Sequence, residues 1–163
     1  MDSSLHLNPL WPSALGTVEA HFRRWRGESG QQQGTQRGTQ RAKTGATAQA
    51  WTSLAGDLTA LGLDKATRDT LLGWVDSVAS RARQEPLKMR LLHPMEREML
   101  TTEAYGYLLE IYRLGLLGIL GFEQVLELCA TLTRLPATRE QVQFLTSRVL
   151  SDTISSEGFA TAH

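Results

Sequence analysis

Cysteine is nearly absent from this 163-residue chain: Cys129 stands alone, so no internal disulfide can form and nothing points to an oxidising compartment. Long hydrophobic runs are absent too. None approaches the roughly 18 apolar residues that a membrane-spanning helix needs. The opening MDSSLHLNPLWPSAL lacks the basic start and continuous apolar stretch of a secretion signal, so a cytoplasmic protein is expected. The four histidines, His6, His21, His93 and His163, are far apart, and neither they nor Cys129 show the short ligand spacing of a metal site. No Gly-x-Ser-x-Gly turn offers a nucleophile. Gly115, Gly118 and Gly121 recur every third residue, but they follow a helical pattern and lack the Lys-Ser/Thr of a phosphate loop, so they read as a connection. The carboxylate pairs Glu96/Glu98 and Glu123/Glu127 lie in or near first helical turns, where the helix dipole accounts for them. The expectation is a protein that is not an enzyme, with no cofactor, no metal and no evident small-molecule substrate.

What is present is an ordinary globular composition, 41% hydrophobic and 21% charged. The formal net charge is zero but unevenly placed: residues 1–50 carry six basic and three acidic side chains, and the remainder is mildly acidic. A basic N-terminal arm beside a mildly acidic body is therefore expected.

Apolar residues recur at steps of three and four along most of the chain, which predicts helices. Residues 1–13, with Pro9 and Pro12, read as an irregular extension, and Ser13 as an N-cap. Leu15, Val18, Phe22 and Trp25 form the first stripe, closed by Arg23, Arg24, Arg26 and Gly27. Residues 27–50 hold no large apolar side chain and repeat Gly-Thr-Gln-Arg in tandem, so they read as a flexible insertion. Trp51, Leu54, Leu58 and Leu61 form a second helix that Gly62 ends, and Asp64 caps a third bearing Leu71, Trp74, Val75 and Val78. Residues 87–92 alternate apolar and polar, the best strand candidate. His93-Pro94 then opens one long helix through Leu114; Val125, Leu128, Cys129 and Leu132 mark the next, with Cys129 as a small buried hydrophobe; Thr138, Glu140 and Gln141 open the last, with Val142, Leu145 and Val149 inward and Phe144 on a flank. Residues 151–163 read as a tail, frayed from Ser155 to His163. The expected fold is mainly all-α, with about six helices. Residues 14–92 would form a three-helix winged-helix-like unit with one short strand, packed on a C-terminal three-helix unit over 93–150.

Some of these residues carry a family likeness. The stretch Glu85-Pro86-Leu87-Lys88-Met89-Arg90-Leu91-Leu92, then Glu96, then Tyr105-Gly106-Tyr107-Leu108-Leu109 resembles the bacterial Smg family, as do the Leu61-Gly62-Leu63-Asp64 turn and the Trp74-bearing helix. The likeness runs from about Leu15 to Leu150, interrupted by the Gly/Gln-rich tract. The first dozen residues are additional to the family pattern, and the acidic C-terminal segment of many members is missing. The resemblance implies a helical bacterial cytosolic protein of unknown function, without an established activity.

Two non-catalytic roles fit. The first is an adaptor engaging an unidentified protein partner, suggested by the neutral body and by Trp11 and Trp25 near the N-terminal end. The second is weak nucleic-acid binding through a helix-turn-helix-like half, with Arg23, Arg24, Arg26, Arg37, Arg41, Lys43, Lys65 and Arg68 as phosphate contacts. Asp69 and Asp76 on the would-be reader helix oppose that second role.

Overall fold

A computed structural model of the chain describes residues 9–31, 40–82, 92–132 and 134–160. Seven helices occur among the described residues: α1 (Trp11–Gln31), α2 (Gln40–Ala60), α3 (Lys65–Ala82), α4 (Pro94–Glu98), α5 (Thr102–Arg113), α6 (Ile119–Leu132) and α7 (Arg139–Ala160). The all-α expectation holds. Among the described residues, β-structure is confined to one parallel bridge between Leu100 and Ala137.

The helix starts are written in cap chemistry. Asp64 accepts from the Thr67 backbone N–H at 2.9 Å and from its hydroxyl at 2.6 Å, while Leu63 before it is buried. Those hydrogen bonds hold the Asp64 carboxyl below its ordinary pKa, the Thr67 hydroxyl contributing most. Thr138 and Gln141 form a reciprocal capping box: the Thr138 N–H donates to Gln141 Oε1 at 2.9 Å, and the Gln141 N–H donates to Thr138 Oγ1 at 3.4 Å. His93 does the same with Glu96, whose Oε2 accepts from the His93 N–H at 2.8 Å. Gly62 and Gly115 end α2 and α5 with φ of 83° and 78°, the left-handed backbone that favours glycine.

Helix α7 organises the packing. It touches α1, α3, α5 and α6, and its buried residues, Val142, Leu145, Thr146, Val149, Leu150 and Ile154, cover more than one face. Leu15 and Val18 of α1, Leu71 and Val75 of α3, Leu108 and Ile111 of α5, and Phe122 and Val125 of α6 complete one continuous core. Gly121 leaves room for the buried Leu117 side chain, since a Cβ there would lie 2.6 Å from Leu117 Cδ1, while Val149 Cγ1 of α7, 3.5 Å away, would be in ordinary contact.

Several sequence expectations need correction. Helix α1 begins at Trp11, three residues before the expected boundary; Pro12 fits its first turn, and Trp11 is buried, not at an exposed edge. The Ala14 N–H donates to the Leu10 carbonyl at 2.8 Å, so Ser13 lies inside the helix and is not its cap. The helix also passes through Arg26 and Gly27 to Gln31, and α2 begins at Gln40, so backbone helix enters the 27–50 segment from both sides. Alanine, glutamine, arginine and lysine are good helix formers without any apolar stripe, and Gln40–Ala50 is rich in them. The single helix expected over 93–114 is two, because the Leu100 bridge and a Thr101 cap interrupt it: the Thr101 N–H donates to the Ala137 carbonyl at 3.0 Å, and Thr101 Oγ1 accepts from the Ala104 N–H at 3.2 Å. Gly121 lies within α6, and α7 runs to Ala160, with Ile154 only 1% exposed inside the supposed tail. The expected strand falls on residues outside the described set except for Leu92, which is irregular and leads into the His93 cap. The winged-helix-like unit finds no support: α1 and α3 both pack on α7, so the N-terminal helices share the C-terminal core.

Ile154→Ala is expected to destabilise the protein by about 2–5 kcal/mol, the cost of a large-to-small change in a packed core, and Thr138→Ala by about 1 kcal/mol through the lost cap. Guanidinium unfolding measures both; an unchanged midpoint for Ile154→Ala would make residues beyond 150 a tail after all.

Candidate functional site

The described charged groups meet most densely between α1 and α5. Arg23, on the outer shoulder of α1, reaches back one turn to Glu19 and across to Glu110 of α5. Its Nε donates to Glu110 Oε1 at 2.5 Å and its Nη2 to Glu110 Oε2 at 2.8 Å, a bidentate fork. The same Nη2 donates to Glu19 Oε1. The two ends of this network behave differently. Arg23 is held above its ordinary pKa, chiefly by the hydrogen bonds to Glu110. Glu19 is raised above its ordinary value because burial opposes its charge more than Arg23 favours it. Glu110 is thus the main partner of the guanidinium, and Glu19 a buried carboxylate only part-compensated. Nearby, Arg139 sits over the Tyr107 ring, 5.8 Å from its centroid. Burial pushes the Tyr107 hydroxyl upward, so it stays protonated.

Beside this network lies a cavity of about 270 Å³ between α1, α5, α7 and the turn after α5. Its walls are apolar at Leu15, Ile111, Leu116 and Leu150, and Phe144 stands at its more exposed side. The charged residues lining it are Glu19 and Glu140, both acidic. Thr146 also lines it, 1% exposed, and its Oγ1 is the buried side-chain polar atom without a hydrogen-bond partner among the described residues. An unmet buried hydroxyl costs about 1–3 kcal/mol. A smaller cavity, about 70 Å³, opens between α1, α2 and α3 beside half-buried Trp25 and Trp51, where His21 Nε2 lies 2.8 Å from Asp57 Oδ2.

The basic residues singled out from the sequence do not form one described patch. Arg23 is committed to two carboxylates, which makes it a poor phosphate contact. Lys65 lies 3.3 Å from Asp69, and Arg68 is half-buried with its Nη1 donating to Thr59 Oγ1 at 2.9 Å. Arg24 is exposed and Arg26 half-buried on α1. Arg37 lies outside the described residues; Arg41 and Lys43 belong to the first turn of α2, and their side chains lie outside the described set. Cys129 is fully buried, and burial pushes its thiol up to about 11. No group of three or more His, Cys, Asp or Glu among the described residues could hold a metal ion, and no described helix is long and apolar enough to cross a membrane.

Sequence reasoning passed over Glu19 and Thr146, yet a signal was there. Glu19 lies four residues after Leu15 and three before Phe22, inside the apolar stripe of α1. Thr146 has the same relation to Val142 and Val149 on α7. A polar residue on a buried stripe needs a partner, and searching for such positions would have found both.

The raised pKa of Glu19 gives a signed pH prediction. Its ionised form opposes folding above the folded pKa, and the penalty disappears as pH falls below the ordinary value of 4.5. Glu19→Gln should therefore match or exceed the native protein in stability near pH 7, with the difference vanishing toward about pH 4. Denaturant melts across that range check it; a variant weaker near neutrality than in acid would show that the Arg23 pairing outweighs burial.

Compared with known proteins, the chain matches the family model described as a protein of unknown function (DUF494) over residues 42–162. No curated protein and no solved structure matches. Helix α1, which brings Leu15 and Glu19 to the cavity, lies outside the matched range. The match takes in the greater part of the chain, from the first turns of α2 to the end of α7, and the protein belongs to this family of unknown function, DUF494.

Proposed function

We infer that the protein is a non-catalytic interaction module whose partner is another protein. The observation that carries this reading is the set of large apolar side chains left in solvent around the start of α6 and the first half of α7: Ile119 at 47%, Leu120 at 77% and Phe144 at 55% exposure. Phe144 also stands at the rim of the larger cavity, and Ile119 and Leu120 open α6. Surfaces of this kind gain most from burial against a complementary apolar face. The likeness of residues 85–92 and 105–109 to the Smg family accords with the reading, since that family brings no established activity with it. The cytoplasm is the proposed location. The basic residues favour nucleic acid less, because Arg23, Lys65 and Arg68 are each held close to carboxylates of the chain itself.

The test is capture of partners from cells that express the protein, followed by reconstitution of the purified pair. A stoichiometric complex is expected, weakened more than about ten-fold by combined Leu120→Ser and Phe144→Ser changes, with the melting temperature of the module unchanged. Recovery of no stoichiometric partner, or equal binding by the double variant, would remove this reading. Saturable duplex binding at low salt would replace it with the nucleic-acid one.

A further inference from the structure

The narrow cleft between α1, α2 and α3 has aromatic walls and an acidic edge. Phe22 and Trp25 of α1, Trp51 of α2 and Asp76 of α3 all line its space of about 70 Å³. Trp25 meets Phe22 edge to face, the ring centroids 5.8 Å apart and the planes at 87°, a contact that orients the indole. Both tryptophans are half-buried, so part of each side chain reaches solvent. Asp76 is exposed, and none of the ion pairs or hydrogen bonds of the described residues engages it. His21, also on the wall, is taken up by Asp57, its Nε2 lying 2.8 Å from Oδ2. No lysine or arginine is among the described residues that line the cleft.

We propose that this cleft takes the guanidinium of an arginine side chain presented by a partner protein, its plane against the tryptophans and its donors on the Asp76 carboxylate. The proposal rests on the reading of the chain as an interaction module for the source of that arginine, and it adds a contact of stated chemistry on α1, α2 and α3. The residues present select the group. A guanidinium is planar and weakly hydrated, stacks on aromatic rings, and offers paired donors that match a carboxylate. An ammonium is a compact point charge that holds its water more strongly. A carboxylate would meet Asp76 as a like charge, with no lysine or arginine on the described wall to offset it. An aliphatic group would use the rings and leave Asp76 idle. Size agrees with this choice. One water needs roughly 10–15 Å³ of such space, so about 70 Å³ takes a group of about four or five heavy atoms, the size of a guanidinium head.

The experiment is a heteronuclear NMR titration of the full chain with Nα-acetyl-arginine N-methylamide, read at the indole N–H signals of Trp25 and Trp51. The citrulline analogue, which keeps the shape without the charge, and the lysine analogue serve as controls. Saturable shifts at both indoles are expected with the arginine probe, with binding at least about five-fold weaker for citrulline and about three-fold weaker for lysine. Asp76→Asn should bring the arginine and citrulline affinities to within about two-fold of each other. Trp51→Leu should weaken arginine binding by several-fold. Asp76 is exposed, so Asp76→Asn remains informative if Trp51→Leu folds poorly. The proposal is overturned if neither indole responds, if citrulline or lysine matches arginine on the native chain, or if Asp76→Asn keeps the full preference for arginine. The probes need no captured partner, so their failure overturns the cleft proposal and leaves the Leu120 and Phe144 reading to its own experiment.

Discussion

A helix that must bury more than one of its faces needs neighbours on several sides, and α7 is such a helix. Val142, Leu145, Val149, Leu150 and Ile154 cannot all be hidden by a single partner, so α1, α3, α5 and α6 surround it. Ser147 and Ser151 are small enough to sit buried in that contact. The Thr138–Gln141 capping box fixes where α7 begins and thereby sets the register in which its stripe meets the others. Ala137, immediately before the cap, pairs with the Met99–Thr101 segment and anchors that start to the α4–α5 junction. The N-terminal helices are thus not an independent unit: without α7 the apolar faces of α1 and α3 would lose a part of their cover that α2 does not supply.

The same crowding generates the cavity. Where α1 crosses toward α5 and α7, each helix brings a polar residue on its inward side: Glu19, Tyr107 and Thr146. Arg23 ties α1 to α5 through Glu110 and lends part of its charge to Glu19, while Arg139 covers the Tyr107 ring. A core optimised for stability alone would place aliphatic side chains at these positions. The chain instead holds a carboxylate whose ionisation is opposed by burial and a buried hydroxyl with no hydrogen-bond partner among the described residues. Features of that kind concentrate where a protein binds something.

Much of this was legible in the residues. Asp64, His93 and Thr138 were readable as helix starts because capping requires a particular side chain at a particular position. The inward faces of α3, α5 and α7 followed from three- and four-residue spacing. Helix ends were less legible, because α1 passes Arg26 and α2 begins at Gln40 through residues whose helix propensity carries no hydrophobic pattern. The break at Met99–Thr101 depends on the bridge to Ala137, a contact distant in sequence. The basic residues looked like a set only while their partners were unknown: Glu110 is 87 positions from Arg23, beyond the reach of any local pattern. The cavity was missed for the same reason, since Glu19 and Thr146 come together only through folding.

The claim on which all of this rests is that α7 is the shared centre of one cooperative core. Native-state amide hydrogen exchange tests it residue by residue. The account predicts the slowest exchange in α7 between Leu145 and Leu150, with α1, α3 and α5 opening only in the same global unfolding event. Fast exchange along α7, or a separate unfolding of α1 to α3 that leaves α5 to α7 protected, would contradict it.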